Sequence, residues 1–210
     1  MKKIKKNESG RSMVEMLGVL AVIGVLSVGG IAGYKMAMEK ITTNEILQLV
    51  DKFWLGYLNE GENPNSSIYD TTYTNYFSAY SATQSEEYSK LFMKLYGLSN
   101  KCVSKNAGLC YESRYAWAVN PFDHSTGGTL MELVLLMPRT SCEPVLNYIA
   151  QNSDMMEKFN QILFGTALGK SNMTPTGIAA YCNRVKSWIY NPFKGHIALA
   201  ISFYLPYEIE

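Results

Sequence analysis

The longest apolar run of the chain lies close to its N-terminus and predicts a helix long enough to cross a membrane. No residue from position 16 to position 34 carries a charge, and Glu15 and Lys35 bound the run. At about 1.5 Å per residue, these residues rise about 28 Å as a helix, close to the ~30 Å hydrocarbon thickness of a bilayer. Residues 1–10 hold four lysines, and such a basic flank stays on the cytoplasmic side while the apolar run inserts.

After Lys35 the pattern becomes that of an amphipathic helix. The apolar positions that fall near one stripe are Met38, Ile41, Leu49, Phe53 and Tyr57. One helix over residues 12–58 would be about 70 Å long. Its second half needs a domain that covers the stripe. The run Asn-Glu-Gly-Glu-Asn-Pro at 59–64 predicts the end of the helix.

The remaining chain predicts a mixed head of helices and strands. The alternation of apolar and small or polar residues from Ile197 to Leu205 is typical of a strand with one face on a core. Strands are also predicted at 111–119 and 128–137, the second largely apolar and therefore central. The connection between them is predicted by turn-forming residues at Asn120-Pro121 and at 125–128.

The predicted helices of the head lie at residues 144–150 and 155–164, and Thr174-Pro175 begins another that leads to Cys182. Residues 63–82, rich in Ser, Thr, Asn and Tyr, predict a surface segment. A short helix with a capping box follows at 83–97.

The numbers of basic and acidic side chains do not indicate a partner for this protein. The chain has 19 basic and 18 acidic side chains. Residues 1–10 contain four lysines and one glutamate, which leaves 15 basic and 17 acidic residues in the remainder. Nucleic-acid binding would require a clustered basic face, so none is inferred.

Four cysteines, Cys102, Cys110, Cys142 and Cys182, all follow the apolar run. An even number without CxxC spacing favours disulfides in an oxidising compartment over zinc. Two bridges allow three pairings. We favour Cys102–Cys110, which closes a small local loop, together with Cys142–Cys182, which would stabilise the head by about 3–4 kcal/mol in the chain-entropy description.

The sequence contains no motif that predicts catalysis. Neither a nucleophile elbow nor a Gly-rich phosphate loop is present, and no HExxH or EF-hand spacing occurs. We therefore expect neither an enzyme nor a bound cofactor or metal.

Glu15 and Gly10 predict chemistry at the start of the apolar run. A charge near lipid is costly unless it finds a partner, so an ionisable residue there marks a functional site. Gly10 lies five residues earlier, where a peptidase would find flexible backbone. Cleavage after Gly10 would expose a new α-amine on Arg11, four residues from Glu15.

Together these residues resemble the N-terminus of type IV pilins and of the related type II secretion pseudopilins. The shared pattern is a basic leader ending in Gly, a Glu five residues later, and an apolar helix. Gly10, Glu15, Gly24 and Tyr34 match it. Arg11 stands where the family usually has Phe or another apolar residue, and Ala32 stands where many members have Pro. The resemblance covers about twenty-five residues.

The resemblance implies an α+β, pilin-like fold: a long N-terminal helix, membrane-spanning in its first half, on an antiparallel head with a disulfide-bounded C-terminal region. Residues 1–10 would be a leader that a prepilin peptidase removes between Gly10 and Arg11. Residues 11–62 would form the helix and 63–210 the head. The bridge Cys142–Cys182 resembles the C-terminal disulfide loop of pilins, and a type IVb-like head is suggested.

The implied function is a structural subunit of a type IV pilus, with Glu15 acting in assembly and Arg11 as a site of N-methylation. The implied partners are other pilin subunits and the pilus assembly machinery. The protein would lie in the bacterial inner membrane before assembly and in a surface filament afterwards. Major or minor status, and a role in adhesion, motility, DNA uptake or secretion, stay open.

Two alternatives remain. A type II secretion pseudopilin shares the N-terminal pattern, but major pseudopilins generally lack disulfides and a large head. A lone membrane-anchored binding or enzymatic domain fits the apolar run but leaves Gly10 and Glu15 unexplained.

Overall fold

The computed structural model describes residues 9–61, 110–124, 128–163, 167–187 and 194–204. The chain divides into two compact units, Met1–Lys40 and Ile41–Glu210. The predicted surface segment at 63–82, the short helix at 83–97 and Cys102 lie outside the described residues.

The first element is a long helix, α1, at Ser9–Gly56, and a π-helical turn at Tyr57–Gly61 continues it. No proline occurs between its ends, so nothing removes a backbone donor from its interior. The predicted long N-terminal helix is confirmed.

In the part of the head that the structure describes, one antiparallel sheet has six strands in the order β1-β2-β3-β6-β4-β5. The strands are β1 Cys110–Tyr111, β2 Ala116–His124, β3 Gly128–Met137, β4 Phe159–Leu163, β5 Leu168–Gly169 and β6 Ile197–Tyr204. The prediction that β3 is central is confirmed, because it pairs with β2 on one side and with β6 on the other.

Among the described residues after β3, the head has three α-helices. They are α2 Cys142–Gln151, α3 Ser153–Lys158 and α4 Pro175–Arg184. Asn152 caps α3 by accepting from the backbone N–H groups of Asp154 and Met155. Thr174 caps α4 by accepting from Gly177 N, and Pro175 occupies the first turn. These are the residue types that favour helix starts, and the predictions at 144–150 and Thr174-Pro175 are confirmed.

The predicted strand at 111–119 is wrong in its bounds. A turn in which Glu112 N donates to Tyr115 O (2.8 Å) separates β1 from β2. β2 then continues through Pro121, which was expected to end it. In the described part of the sheet, β1 pairs only with Ala116 and Trp117, so no pairing with β1 requires a donor at Pro121.

The predicted helix at 155–164 is confirmed only for residues 155–158. α3 ends at Lys158, and Phe159–Leu163 forms β4 between β5 and β6. Phe159 and Ile162 are buried in the core. Pairing on both sides and burial of these side chains override a local pattern that a helix also satisfies.

The second half of α1 supplies one side of the core. The buried residues of this half and of the π-helical turn after it are Thr42, Ile46, Leu49, Val50, Phe53, Trp54 and Tyr57. Ile41, expected on this stripe, is 45% exposed. The stripe is therefore rotated towards Ile46 and Val50 relative to the predicted one.

An aromatic cluster joins this stripe to the sheet. The Phe53 and Phe203 ring centroids lie 5.7 Å apart, and Trp54 stacks on Tyr57 at 4.8 Å. Phe159 meets Phe203 edge-on at 6.2 Å. Aromatic contacts of this kind add to the energy of burial. The α+β, pilin-like layout is thus a helix, a sheet and a disulfide-linked helical pair built around one core.

The opposite face of the sheet is also shielded from solvent. Its buried small and apolar residues are Ala116, Ala118, Val134, Leu136 and Ala200. The expectation that one face of the last strand packs on a core is confirmed. Its other face is covered as well, since Ala200 and Ser202 are as buried as Ile201.

Candidate functional site

The first half of α1 exposes nearly all of its apolar side chains. Fourteen large ones are 52% to 74% exposed: Met13, Val14, Met16, Leu17, Val19, Leu20, Val22, Ile23, Val25, Leu26, Val28, Ile31, Tyr34 and Met36. Neighbouring positions on a helix point about 100° apart, so this run is apolar on every side. Apolar surface of this extent marks a membrane or protein contact.

The length and composition of α1 suit a bilayer. It is the one helix, among the described residues, that is long and apolar enough to cross a membrane, and it lies near the N-terminus. The Ser27 hydroxyl donates to Ile23 O at 2.7 Å. This bond satisfies a polar group inside the run without a partner outside the helix, as a medium without water requires.

Charges reappear at the end of the run. Lys35 Nζ lies 3.9 Å from Glu39 Oε1, one helical turn further on. Lys35 is largely exposed, so this pair contributes little to stability. Lys35 and Tyr34 are the residue types that favour a membrane–water interface.

The predicted processing and assembly residues lie in the first two turns of α1. The helix begins at Ser9, which places Gly10 and Arg11 in its first turn. Glu15 is exposed and lies four positions after Arg11. Residues four apart share a helix face, so an amine on Arg11 and the Glu15 carboxylate would lie at nearby depths. Cleavage after Gly10 and methylation of Arg11 stay predictions.

The face of α1 that contains Glu15 carries both small and large residues. Gly18, Gly29 and Gly33 follow Glu15 at helical spacing, with Val22 and Leu26 between them. A Cβ added at Gly18 or Gly29 would meet no atom within 4 Å. Glycine costs about 1 kcal/mol relative to alanine in a helix interior, and nothing in the described residues requires glycine at these two positions.

The second half of α1 is bound to the head by polar contacts that the sequence did not predict. The Arg114 guanidinium lies 2.7 Å from Glu45 Oε1. Thr43 and Ser141 share a hydrogen bond of 2.8 Å between their hydroxyls. Tyr148 donates its hydroxyl proton to Asp51. The partners lie 69 to 98 positions apart, so no spacing rule identifies them.

The disulfide predicted between Cys142 and Cys182 is confirmed, with Cα atoms 5.8 Å apart. It joins the start of α2 to the last turns of α4. Cys110 is also disulfide-bonded, and its predicted partner Cys102 lies outside the described residues. Near the bridge, the Arg139 guanidinium donates to the carbonyl oxygens of Cys182 and Val185 and, at 3.1 Å, to Ser187 Oγ.

Burial perturbs two tyrosines of the head. It raises the pKa of Tyr181 to about 12. It also raises the pKa of Tyr115, with the nearby carboxylates of Glu112 and Glu45 acting in the same direction. Both hydroxyls stay protonated at neutral pH, which is the state that a buried phenol favours.

The residues suited to metal binding do not converge in the part of the chain that is described. No three His, Cys, Asp or Glu side chains there are grouped so as to hold an ion. His196, one of two histidines in the sequence, shares a 2.9 Å hydrogen bond with Arg114 O.

Comparison with known proteins gave no relative. No protein-family model, no curated protein and no solved structure matches this chain. The layout itself, a long N-terminal apolar helix on an antiparallel sheet with a disulfide near the C-terminus, is compatible with a pilin-like fold.

Proposed function

We propose that this protein is a structural subunit of a type IV pilus. The bacterial inner membrane would hold it by the first half of α1. A prepilin peptidase would remove residues 1–10, and the mature chain, beginning at Arg11, would then join other subunits in a surface filament through the same helix.

The exposed apolar half of α1 supports this proposal best. Side chains that are 52% to 74% exposed on every side of the helix need a medium other than water. A bilayer supplies it before assembly and a bundle of equivalent helices supplies it afterwards. One surface thus serves both states.

Glu15 would form the charged contact between neighbouring subunits. A carboxylate at the edge of an apolar medium is stabilised when an opposite charge pairs with it. Cleavage after Gly10 creates such a charge, the α-amine of Arg11. In a filament, the amine of an adjacent subunit would pair with Glu15 where screening by water is weak, and the pair would set the register of neighbouring helices.

The disulfide of the head favours a pilus subunit over a type II secretion pseudopilin. Cys142 and Cys182 join two helices that lie on the core of a six-stranded head, whereas major pseudopilins generally lack such bridges. A lone membrane-anchored binding or enzymatic domain requires neither Gly10 nor Glu15.

The first test is the identity of the protein in sheared surface material. We expect filaments whose subunits begin at Arg11 and have the mass of residues 11–210. Subunits that begin at Met1, or mature protein found only in the membrane fraction, would contradict the proposal.

Glu15→Leu tests assembly separately from insertion and folding. Removing the charge leaves insertion as good or better, because a charge at the centre of a helix costs ~2.5–3.5 kcal/mol on insertion scales. We expect mature membrane protein with a folded head and few filaments. Glu143→Leu makes the same chemical change at an exposed position of α2 and serves as the control. Normal filament yield from Glu15→Leu, or equal loss from both variants, would refute the role of Glu15.

A further inference from the structure

Arg139 and Cys142 lie on one anchored turn. β3 ends at Met137, and the 3₁₀ turn Arg139–Ser141 leads directly into α2. Ser141 N donates to Pro138 O at 3.0 Å. The fully buried Ser141 also shares a hydrogen bond with Thr43 of α1. The backbone before Cys142 is therefore fixed by the central strand and by α1.

The other cysteine lies at a helix end, where structure is easily lost. Cys182 lies two residues before the end of α4 at Arg184. The last carbonyl groups of a helix have no partner within it, and helix ends fray. Arg139 supplies the missing partners, because its guanidinium donates to Cys182 O, Val185 O and Ser187 Oγ. Charged donors form strong hydrogen bonds, and a cation is favourable at a helix C-terminus.

We propose that Arg139 is a positioning residue for disulfide formation. It holds the end of α4 beside Cys142 while both cysteines are still thiols, so the bridge closes within an already docked chain. The two cysteines are 40 positions apart in sequence, and the ends of an undocked loop of this length rarely meet. Packing of Ile178 and Tyr181 brings α4 to the core, and Arg139 orders the turn that contains Cys182.

The chemistry is a thiol–disulfide exchange. One S–S bond forms between Cys142 and Cys182 and two S–H bonds break. The two electrons and two protons pass to a disulfide oxidant, such as glutathione disulfide, which leaves as two thiols. Arg139 takes no part in the electron transfer. It changes only how often the two sulfur atoms meet.

The experiment uses the full chain in detergent, reduced and then equilibrated in mixtures of glutathione and glutathione disulfide. Acid quenching, alkylation and peptide mapping separate the Cys142–Cys182 bridge from any bridge that contains Cys102 or Cys110. The measured quantity is the effective concentration of the two thiols, together with the rate of closure.

We expect Arg139→Gln to lower the effective concentration about tenfold, which corresponds to about 1.4 kcal/mol. Ser187→Ala, which removes only the hydroxyl contact, should lower it about twofold. Arg184→Gln is the matched control, because the Arg184 side chain donates to Ala180 O within its own helix at 3.1 Å. It should leave the value unchanged.

An effective concentration for Arg139→Gln within twofold of the parent protein overturns the proposal, as does an equal fall for Arg184→Gln. By thermodynamic linkage, a lower effective concentration requires that Arg139→Gln destabilise the oxidised protein more than the reduced one. An equal loss in both forms identifies a merely structural residue and overturns it too. If Arg139→Gln does not fold, the same criteria apply to Arg139→Lys, which keeps the charge but loses the two-armed geometry.

Discussion

The two halves of α1 are equally helical but differ in what covers them. From Met13 to Met36 the large apolar side chains are 52% to 74% exposed. From Ile46 to Tyr57 the stripe is buried, with Phe53 only 1% exposed. The first half is apolar on every side, whereas the second is apolar on one side and carries Glu45, Gln48 and Asp51 on the other.

The difference shows that two halves of one helix can be stabilised by different surroundings. The second half is stabilised by the head of its own chain, so its substitutions affect unfolding. The first half has no such cover among the described residues. Its substitutions should therefore affect only the contacts that this half makes with a bilayer or with other helices. Each prediction below tests this division.

The largest effect is expected from truncating the core of the second half. Phe53→Ala should lower the free energy of unfolding of the head by about 3–5 kcal/mol, because it leaves a cavity beside Phe203. Leu20→Ala, at a position 58% exposed, should change it by less than about 0.5 kcal/mol. Denaturant unfolding in detergent, followed by tryptophan fluorescence, measures both. Similar losses from the two variants would show that the halves are not energetically separate.

Much of this fold follows from sequence pattern because pattern reports burial. The apolar run follows from the thickness of a bilayer, and the strand at Ile197–Tyr204 follows from the alternation of apolar with small or polar residues. The pattern fails at Phe159–Leu163, since a short segment with apolar residues at Phe159 and Ile162 fits a helix or a strand equally well. It also fails at Pro121. A proline weakens a sheet only where a neighbouring strand needs its missing N–H group, and β1 pairs with Ala116 and Trp117 instead.

The candidate site divides in the same way. Gly10 and Glu15 are recognisable from sequence because their meaning depends on local spacing along one helix. Arg139 was missed, since its partners lie 43 to 48 positions away and only the packing of α4 brings them near. Contacts of this kind leave no periodic signal in the chain.

The next prediction concerns the disulfide Cys142–Cys182, which constrains the head but not the first half of α1. Cys142→Ser together with Cys182→Ser should lower the free energy of unfolding of the head by about 3–4 kcal/mol through loop entropy. Retention of the protein in the membrane fraction should not change. Urea unfolding and fractionation check the two statements. A head as stable as that of the parent, or loss from the membrane, would contradict the division.

A dependence on pH should appear in the head above pH 10. Burial raises the pKa of Tyr181 to about 12, whereas an unfolded tyrosine titrates near 10. The stability that the protonated phenol contributes is complete below pH 10 and is lost as pH rises towards 12. Tyr181→Phe should therefore gain stability relative to the parent protein across this window. Parallel stability curves from pH 9 to 12 would refute it.

The smallest effect concerns two glutamates of α1, one in each half. Glu45 pairs with Arg114 at 2.7 Å, and their side chains are 38% and 28% exposed. Glu39 pairs with Lys35 one turn away at 3.9 Å. Glu45→Gln breaks a contact between α1 and the turn before β2, and should lower the free energy of unfolding of the head by about 0.5–1 kcal/mol.

Glu39→Gln breaks the contact with Lys35, which lies within the helix, and such a pair is worth about 0.2–0.5 kcal/mol to an isolated helix. It should leave unfolding of the head unchanged. Because screening weakens exposed ion pairs, the loss in Glu45→Gln should shrink between 0.05 M and 1 M salt, as the Debye length falls to about 3 Å. Unfolding of both variants at the two salt concentrations is the measurement. A salt-sensitive loss for Glu39→Gln as large as that for Glu45→Gln would show that the Lys35–Glu39 pair contributes to the stability of the head. The boundary between the two halves would then lie before Lys35.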